Sequence, residues 1–253
     1  MDRIYVFFVG SAGSGKTYLT KAFSDYLEFK RIDHIIVNLD PGAGNLPYSP
    51  DIDVREWFSI EDVMEKYDVG PNGAQIIASD LIATKVDDII DEIDLYNATY
   101  VLMDTPGQME LFTLRASSEV LIGILGRNNC VSVFLFDPVV SQQAPGFLSL
   151  VFLYSSAIMR LNIPQIPVLS KVDILPEHTV KKILEWSKSP ETLHDSISRE
   201  RGLSPDLFNL LYDLGLFRPL IPVSSKTGDG MDDIYEQIQE IYYGGEDIER
   251  ILF

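Results

Sequence analysis

The sequence predicts an α/β fold, a mostly parallel sheet with helices on both faces. Three observations carry that expectation. Short apolar runs recur at 4–9, 34–39, 99–103, 131–136, 166–169 and 220–223. They are continuous rather than alternating, as in strands covered on both sides. Segments of helical character separate them, so the connections are crossovers and the strands parallel.

The elements follow in chain order. Run 4–9 passes through a glycine-rich loop into a helix at 16–29. Run 34–39 ends in Asp40-Pro41, where proline stops the strand. Ser59 and Asp62 give helix 59–67 a capping-box-like start. At 74–95, Ile76, Ile77, Leu81, Ile82, Val86, Ile89, Ile90 and Ile93 form a stripe with a 3.6-residue period, read as one long helix. Further helices are expected at 111–125, 146–161, 177–187, 205–214 and 231–242. The whole chain, 1–253, reads as one domain, with a polar helical insertion at about 189–217.

Composition excludes several classes. A formal charge of −18 opposes a general nucleic-acid binder and docking on anionic lipid. No direct nucleic acid and no membrane are therefore expected. Cys130 is the single cysteine, so neither an intrachain disulfide nor a CxxC metal site is possible. It sits in an apolar run and reads as a buried thiol. The apolar stretch 147–161 is shorter than the ~20 residues a bilayer requires and carries Ser149, Ser155 and Ser156. The opening residues lack the basic region and small-residue cleavage site of a secretory leader. The expected compartment is the cytoplasm.

The first run leads into Gly10-Ser11-Ala12-Gly13-Ser14-Gly15-Lys16-Thr17, the G-x-x-x-x-G-K-[ST] pattern of a phosphate-binding loop. Its glycines let backbone N–H groups face the phosphates. Lys16 reaches the β- and γ-phosphates, and the Thr17 hydroxyl ligates Mg²⁺. Asp104-Thr105-Pro106-Gly107-Gln108 ends the third run. Asp104 is placed to hold Mg²⁺ through water, and the Gly107 N–H to approach the γ-phosphate. Gln108 either orients the attacking water or is an exposed turn residue. Asp40 either polarises water and supports Mg²⁺ or caps a turn.

A base-reading K-x-D pattern occurs at Lys66–Asp68, Lys85–Asp87 and Lys171–Asp173. The letters alone do not choose among them. Lys171 and Asp173 follow an apolar run, where such sheets place ligands. Ser224-Ser225-Lys226 follows the last run, and a backbone N–H of such a loop supports guanine O6. Lys171 and Asp173, with Ser225 and Lys226, are therefore read as the guanine site. Ser170 in place of a larger Asn or Thr predicts a less firmly held loop.

With these motifs in order, Gly70-Pro71-Asn72, Asn38-Leu39-Asp40-Pro41 and Asp104-Thr105-Pro106-Gly107-Gln108-Met109-Glu110 make the chain resemble the GPN-loop GTPases of the SIMIBI class of P-loop proteins. The resemblance runs from the P-loop to Lys226. It implies a GTP hydrolase with GTP and GDP as substrate and product and Mg²⁺ as cofactor. It also implies a dimer in which the loop Gly70, Pro71, Asn72 reaches the partner's γ-phosphate region. Asn72 would then fill the role of an arginine finger, since Ser11 stands where several SIMIBI relatives carry a signature lysine. Asp40, Gln108 and Glu110 would surround the attacking water, although Glu110 equally reads as a first-turn carboxylate on a helix N-terminus. Arg115 and Arg127 read as surface ion-pair residues. The compact chain fits an archaeal homodimeric member. The resemblance further implies a protein client such as RNA polymerase or its assembly factors. Two alternatives stay open: a nucleotide-gated assembly factor or peptide-binding chaperone with incidental turnover, and an ATP-using SIMIBI enzyme.

Overall fold

The computed structural model describes residues 3–197 and 205–244. Among these, seven strands form one sheet: β1 (Ile4–Gly10), β2 (His34–Asn38), β3 (Ile52–Asp53), β4 (Tyr100–Asp104), β5 (Cys130–Phe136), β6 (Gln165–Leu169) and β7 (Ile221–Pro222). Their order is β3-β2-β4-β1-β5-β6-β7. Every pairing is parallel. Among the described residues twelve α-helices surround the sheet: α1 (Lys16–Phe29), α2 (Ile60–Tyr67), α3 (Pro71–Leu81), α4 (Val86–Asp94), α5 (Glu110–Thr113), α6 (Ala116–Leu125), α7 (Pro138–Ser141), α8 (Ala144–Leu161), α9 (Glu177–Lys188), α10 (Pro190–Ile197), α11 (Pro205–Asp213) and α12 (Met231–Tyr243).

Both faces of the sheet are apolar because both are covered. Ile4, Val6 and Phe8 of β1 pack with Leu19 and Phe23 of α1 and with Ile234 and Ile238 of α12. The alternate residues Tyr5, Phe7 and Val9 enter the larger core with the remaining helices. Phe7 stacks on Phe112 of α5 at 5.5 Å, and Phe136 meets Phe147 of α8 at 5.8 Å. Such buried aromatic side chains each contribute roughly 1.5–3 kcal/mol. Helix α8 is 18 residues long and strongly apolar. Phe147, Leu148, Val151 and Tyr154 bury one side of it in this core.

Two expected helices are corrected. The stripe at 74–95 is not one helix. It starts at Pro71, tightens into a 3-10 turn at Ile82–Lys85 and resumes as α4, because Lys85 leaves helical geometry (φ −113°, ψ 7°). The helix expected at 111–125 breaks into α5 and α6, since Arg115 is extended (φ −98°, ψ 153°). Strand β3 has two residues, too few for a periodicity to register. The segment expected as a polar helical insertion carries α10 and α11, with 198–204 outside the described residues, and its helices have apolar faces. Leu193, Ile197, Phe208 and Leu211 are buried in the main core.

The C-terminal ends of β1, β2, β4 and β6 converge on one edge of the sheet. That edge is the crevice where α/β sheets bind ligands.

Candidate functional site

The loop from β1 to α1 closes on itself through Ser14 N–H to Ser11 O, 3.2 Å. Gly13 (φ 76°) and Gly15 (φ 100°) occupy the left-handed region that only glycine enters without strain. A Cβ on Gly15 would lie 2.9 Å from Lys171 Cε, so the β6 loop packs directly over the phosphate loop. No side chain caps α1, whose first turn leaves N–H groups open to an anion.

Lys16 is buried, and its ammonium donates to Gly10 O (2.9 Å), Ser11 O (3.1 Å) and Gly107 O (2.8 Å). Burial lowers its pKa to about 8, against the pull of Asp104, Asp40 and Glu110. Gly107 is bonded at both ends: its N–H, expected to approach a phosphate, donates to Asp40 Oδ2 at 2.9 Å. Asp40 Oδ1 accepts from Gly42 N–H, also at 2.9 Å. Burial still holds the Asp40 carboxyl above the usual range.

Asp104 is 1% exposed. Burial pushes its pKa up to about 6, with the hydroxyls of Tyr48 and Thr17 pulling downward. Tyr48 donates to Oδ2 at 2.6 Å. Oδ1 is a buried acceptor without a hydrogen-bond partner. The Asp104 carboxylate, one oxygen of it unpartnered, together with the Thr17 hydroxyl that interacts with it, is the oxygen donor set a hard divalent cation prefers. Gly13, Thr17, Asp40, Gly107 and Lys171 line a common cleft of about 450 Å³. The segment at 43–47 forms its far wall.

A second cleft of about 700 Å³ shares the phosphate loop and brings Ser11 and Ala12 together with Asn72, Gln108 and Glu110. The tripeptide Gly70-Pro71-Asn72 is the beginning of α3: Gly70 is its N-cap and Pro71 opens its first turn. Asn72 is exposed, and among the described residues its amide has no hydrogen-bond partner. Glu110 opens α5. Arg115 lines the same cleft and pairs with Asp80 at 3.5 Å. Arg127, expected in a surface ion pair, instead donates to Leu161 O at the end of α8.

Of the three K-x-D segments, the one at Lys171–Asp173 reaches the phosphate loop, because Lys171 Nζ donates to Gly13 O. Lys85 pairs with Asp88 at 2.6 Å on a distant helix. Asp173 Oδ1 accepts from Ser224 Oγ at 2.7 Å. Ser224 Oγ in turn accepts from the N–H groups of Lys226 and Thr227, both at 3.3 Å. Ser224 is thus the residue that ties the two base-side loops together, with Ser225 and Lys226 beside it. Ser170 ties its loop to the end of β5. Its hydroxyl and N–H both donate to Phe136 O at 3.1 Å, and Ser170 is buried.

Sequence reasoning missed Tyr48, Arg55 and Asp53. Arg55 binds Asp53 through both carboxylate oxygens and donates to Ala43 O (2.9 Å) and Gly44 O (2.8 Å). Asp53 also accepts from Asn38 Nδ2 at 2.9 Å, and Asn38 Oδ1 accepts the Asp40 N–H at 3.1 Å. This chain of bonds holds the Asp40 turn. Its only trace in the sequence is an acid and a base two positions apart beside an apolar pair.

The family profile described as "Conserved hypothetical ATP binding protein" matches residues 8–244. The chain is 32% identical over 257 residues to GPN-loop GTPase 3 of Eremothecium gossypii, covering 97% of this chain and 94% of that protein. It is 30% identical over 263 residues to GPN-loop GTPase 3 of Saccharomyces cerevisiae, covering 99% and 96%. The apo crystal structure of a GTPase from Pyrococcus abyssi superposes with a TM-score of 0.83 at 31% identity, covering 96% of this chain and 99% of that one. With a phosphate loop at the sheet edge and relatives along nearly its whole length, this chain belongs to the GPN-loop GTPase family and is a GTP hydrolase.

Proposed function

We propose that the protein is a Mg²⁺-dependent GTPase acting as a homodimer, a nucleotide-controlled switch that assists assembly of a protein complex. The observation that carries this reading is the exposed, unpartnered Asn72 amide in one cleft with Ser11, Gln108 and Glu110. The exposed apolar residues Ile76, Leu114 and Leu153 line the same cleft. A cleft with catalytic residue types and an apolar rim suits coverage by a second copy.

In this reading Lys16 and the N-terminus of α1 bind the phosphates, and Asp173 with Lys171 reads guanine. Thr17 and Asp104 would hold Mg²⁺, which when bound would neutralise charge on the phosphates. Both Asp40 oxygens already accept backbone N–H groups, which favours a role beside the attacking water over direct metal ligation. Gln108 and Glu110, both exposed at the cleft, orient that water. Exposed Val120, Ile124 and Met159 on α6 and α8 support a protein client, of which RNA polymerase or its assembly factors is the class the resemblance suggests. The charge of −18 supports a protein rather than a nucleic-acid partner.

The test mixes two dead variants, Asn72→Ala and Lys16→Ala. In the mixed dimer the Asn72→Ala subunit keeps its phosphate loop and receives Asn72 from its partner, so one working site returns. Heterodimers that form without any recovered turnover would refute catalysis across the dimer.

A further inference from the structure

Tyr48 lies in the segment between β2 and β3, outside every recognised motif. Its phenol donates to Asp104 Oδ2 at 2.6 Å. The carboxylate is 1% exposed, and its other oxygen, Oδ1, is buried with no hydrogen-bond partner. A carboxylate anchored through one oxygen cannot rotate freely about its terminal bond, so the other oxygen has a fixed direction. The anchor is itself fixed on both sides. Upstream, Arg55 holds Ala43 O and Gly44 O. Downstream, Asp51 exchanges two bonds with Ile36 of β2: its N–H donates to Ile36 O at 2.9 Å, and its Oδ2 accepts the Ile36 N–H at 2.8 Å. Pro47 and Pro50 bracket the tyrosine and restrict the backbone further.

We propose that Tyr48 is a positioning residue for the metal-facing carboxylate: its hydroxyl binds Asp104 Oδ2 and thereby presents Oδ1 toward Thr17. This rests on the Mg²⁺-dependent GTPase reading given above. Residues that orient a metal ligand from behind contribute roughly 10- to 100-fold to metal affinity. Tyr48→Phe removes the hydroxyl and keeps the ring. Asp104 then loses its tyrosine donor and its orientation, while the phosphate loop and the base-side loops are untouched.

The experiment measures retention of fluorescently labelled GDP as Mg²⁺ is titrated, with GDP affinity in EDTA measured alongside. Wild type, Tyr48→Phe, Thr17→Ala and the exposed neighbour Ser49→Ala are compared. Tyr48→Phe should raise the Mg²⁺ concentration for half-maximal retention roughly 10- to 100-fold. Its affinity in EDTA should equal that of wild type, and Ser49→Ala should match wild type in both. A Tyr48→Phe midpoint equal to wild type overturns the proposal. So does equal loss of affinity with and without Mg²⁺, which would mean that Tyr48 only shapes the loop. Failure of the underlying reading looks different: wild type itself would retain GDP independently of Mg²⁺, and Thr17→Ala would change nothing.

Discussion

Asp40 Oδ2 and the Gly107 N–H share a 2.9 Å hydrogen bond across 67 positions of sequence. The bond joins the turn after β2 to the turn after β4, and Lys16 seals it by donating to Gly107 O. The carboxylate and the ammonium thus grip the two peptide groups on either side of Gly107, which places a negative group at the phosphate end of the cleft.

That geometry makes Asp40→Asn informative. The amide keeps one acceptor, for Gly107, loses the bond from the Gly42 N–H, and removes the charge. GTP binding should hold or tighten, because a buried anion no longer opposes the phosphates. Single-turnover hydrolysis should fall by about 10²-fold or more if the carboxylate acts on the attacking water, the range general-base groups supply. Loss of GTP affinity with unchanged single-turnover hydrolysis would count against that role.

Lys16→Ala should abolish triphosphate binding measured by calorimetry, since three carbonyl oxygens would lose their common donor along with the cation. Removing a charged partner from buried groups costs at least about 1–3 kcal/mol before any phosphate contact is counted. Normal GTP binding and hydrolysis by this variant would disprove the phosphate-loop assignment.

Guanine choice is expected to rest on Asp173. Asp173→Asn reverses one donor–acceptor relation, so it should weaken GTP and gain xanthosine triphosphate in competition assays. Asp87→Asn, exposed on α4, should leave both affinities at wild-type values. The opposite pattern would move the base site to the wrong helix.

Arg55→Lys keeps the charge but loses the planar fork that grips Asp53 and the two carbonyls of the Asp40 loop. Amide hydrogen exchange across 41–47 should rise, and stability should fall by about 1 kcal/mol, less than for fully buried hydrogen bonds to a charged group because Arg55 is partly exposed. Exchange indistinguishable from wild type would remove Arg55 as the clamp.

Alkaline conditions should destabilise the fold. Burial pushes the Cys130 thiol up to about 12 and raises Tyr5, Tyr154 and Tyr242 above their usual range. Each folded pKa lies above its unfolded value, so above pH 9.0, the ordinary thiol value, the folded state keeps a proton that unfolding releases. Stability is then lost progressively as pH rises toward the folded values. Urea melts between about pH 8 and about pH 11 should show a falling midpoint, with a shallower fall in Cys130→Ala. A midpoint flat across that range would contradict the buried, neutral state of these groups.

The sequence by itself determined the parallel sheet, the phosphate loop and the list of reactive residue types. Continuous apolar runs and the spacing of Gly10, Lys16 and Thr17 are local, and local periodicity is enough to read them. Only the tertiary structure decided what those residues touch. It brought Lys171 to Gly13, Ser224 to Asp173 and Tyr48 to Asp104, across 158, 51 and 56 positions. It also divided the long apolar stripe at Lys85 and made Gly70-Pro71-Asn72 the start of a helix. These outcomes depend on strand order and on the path of the segment between β2 and β3. Strand order is settled by packing both faces of the sheet at once, which no single segment encodes.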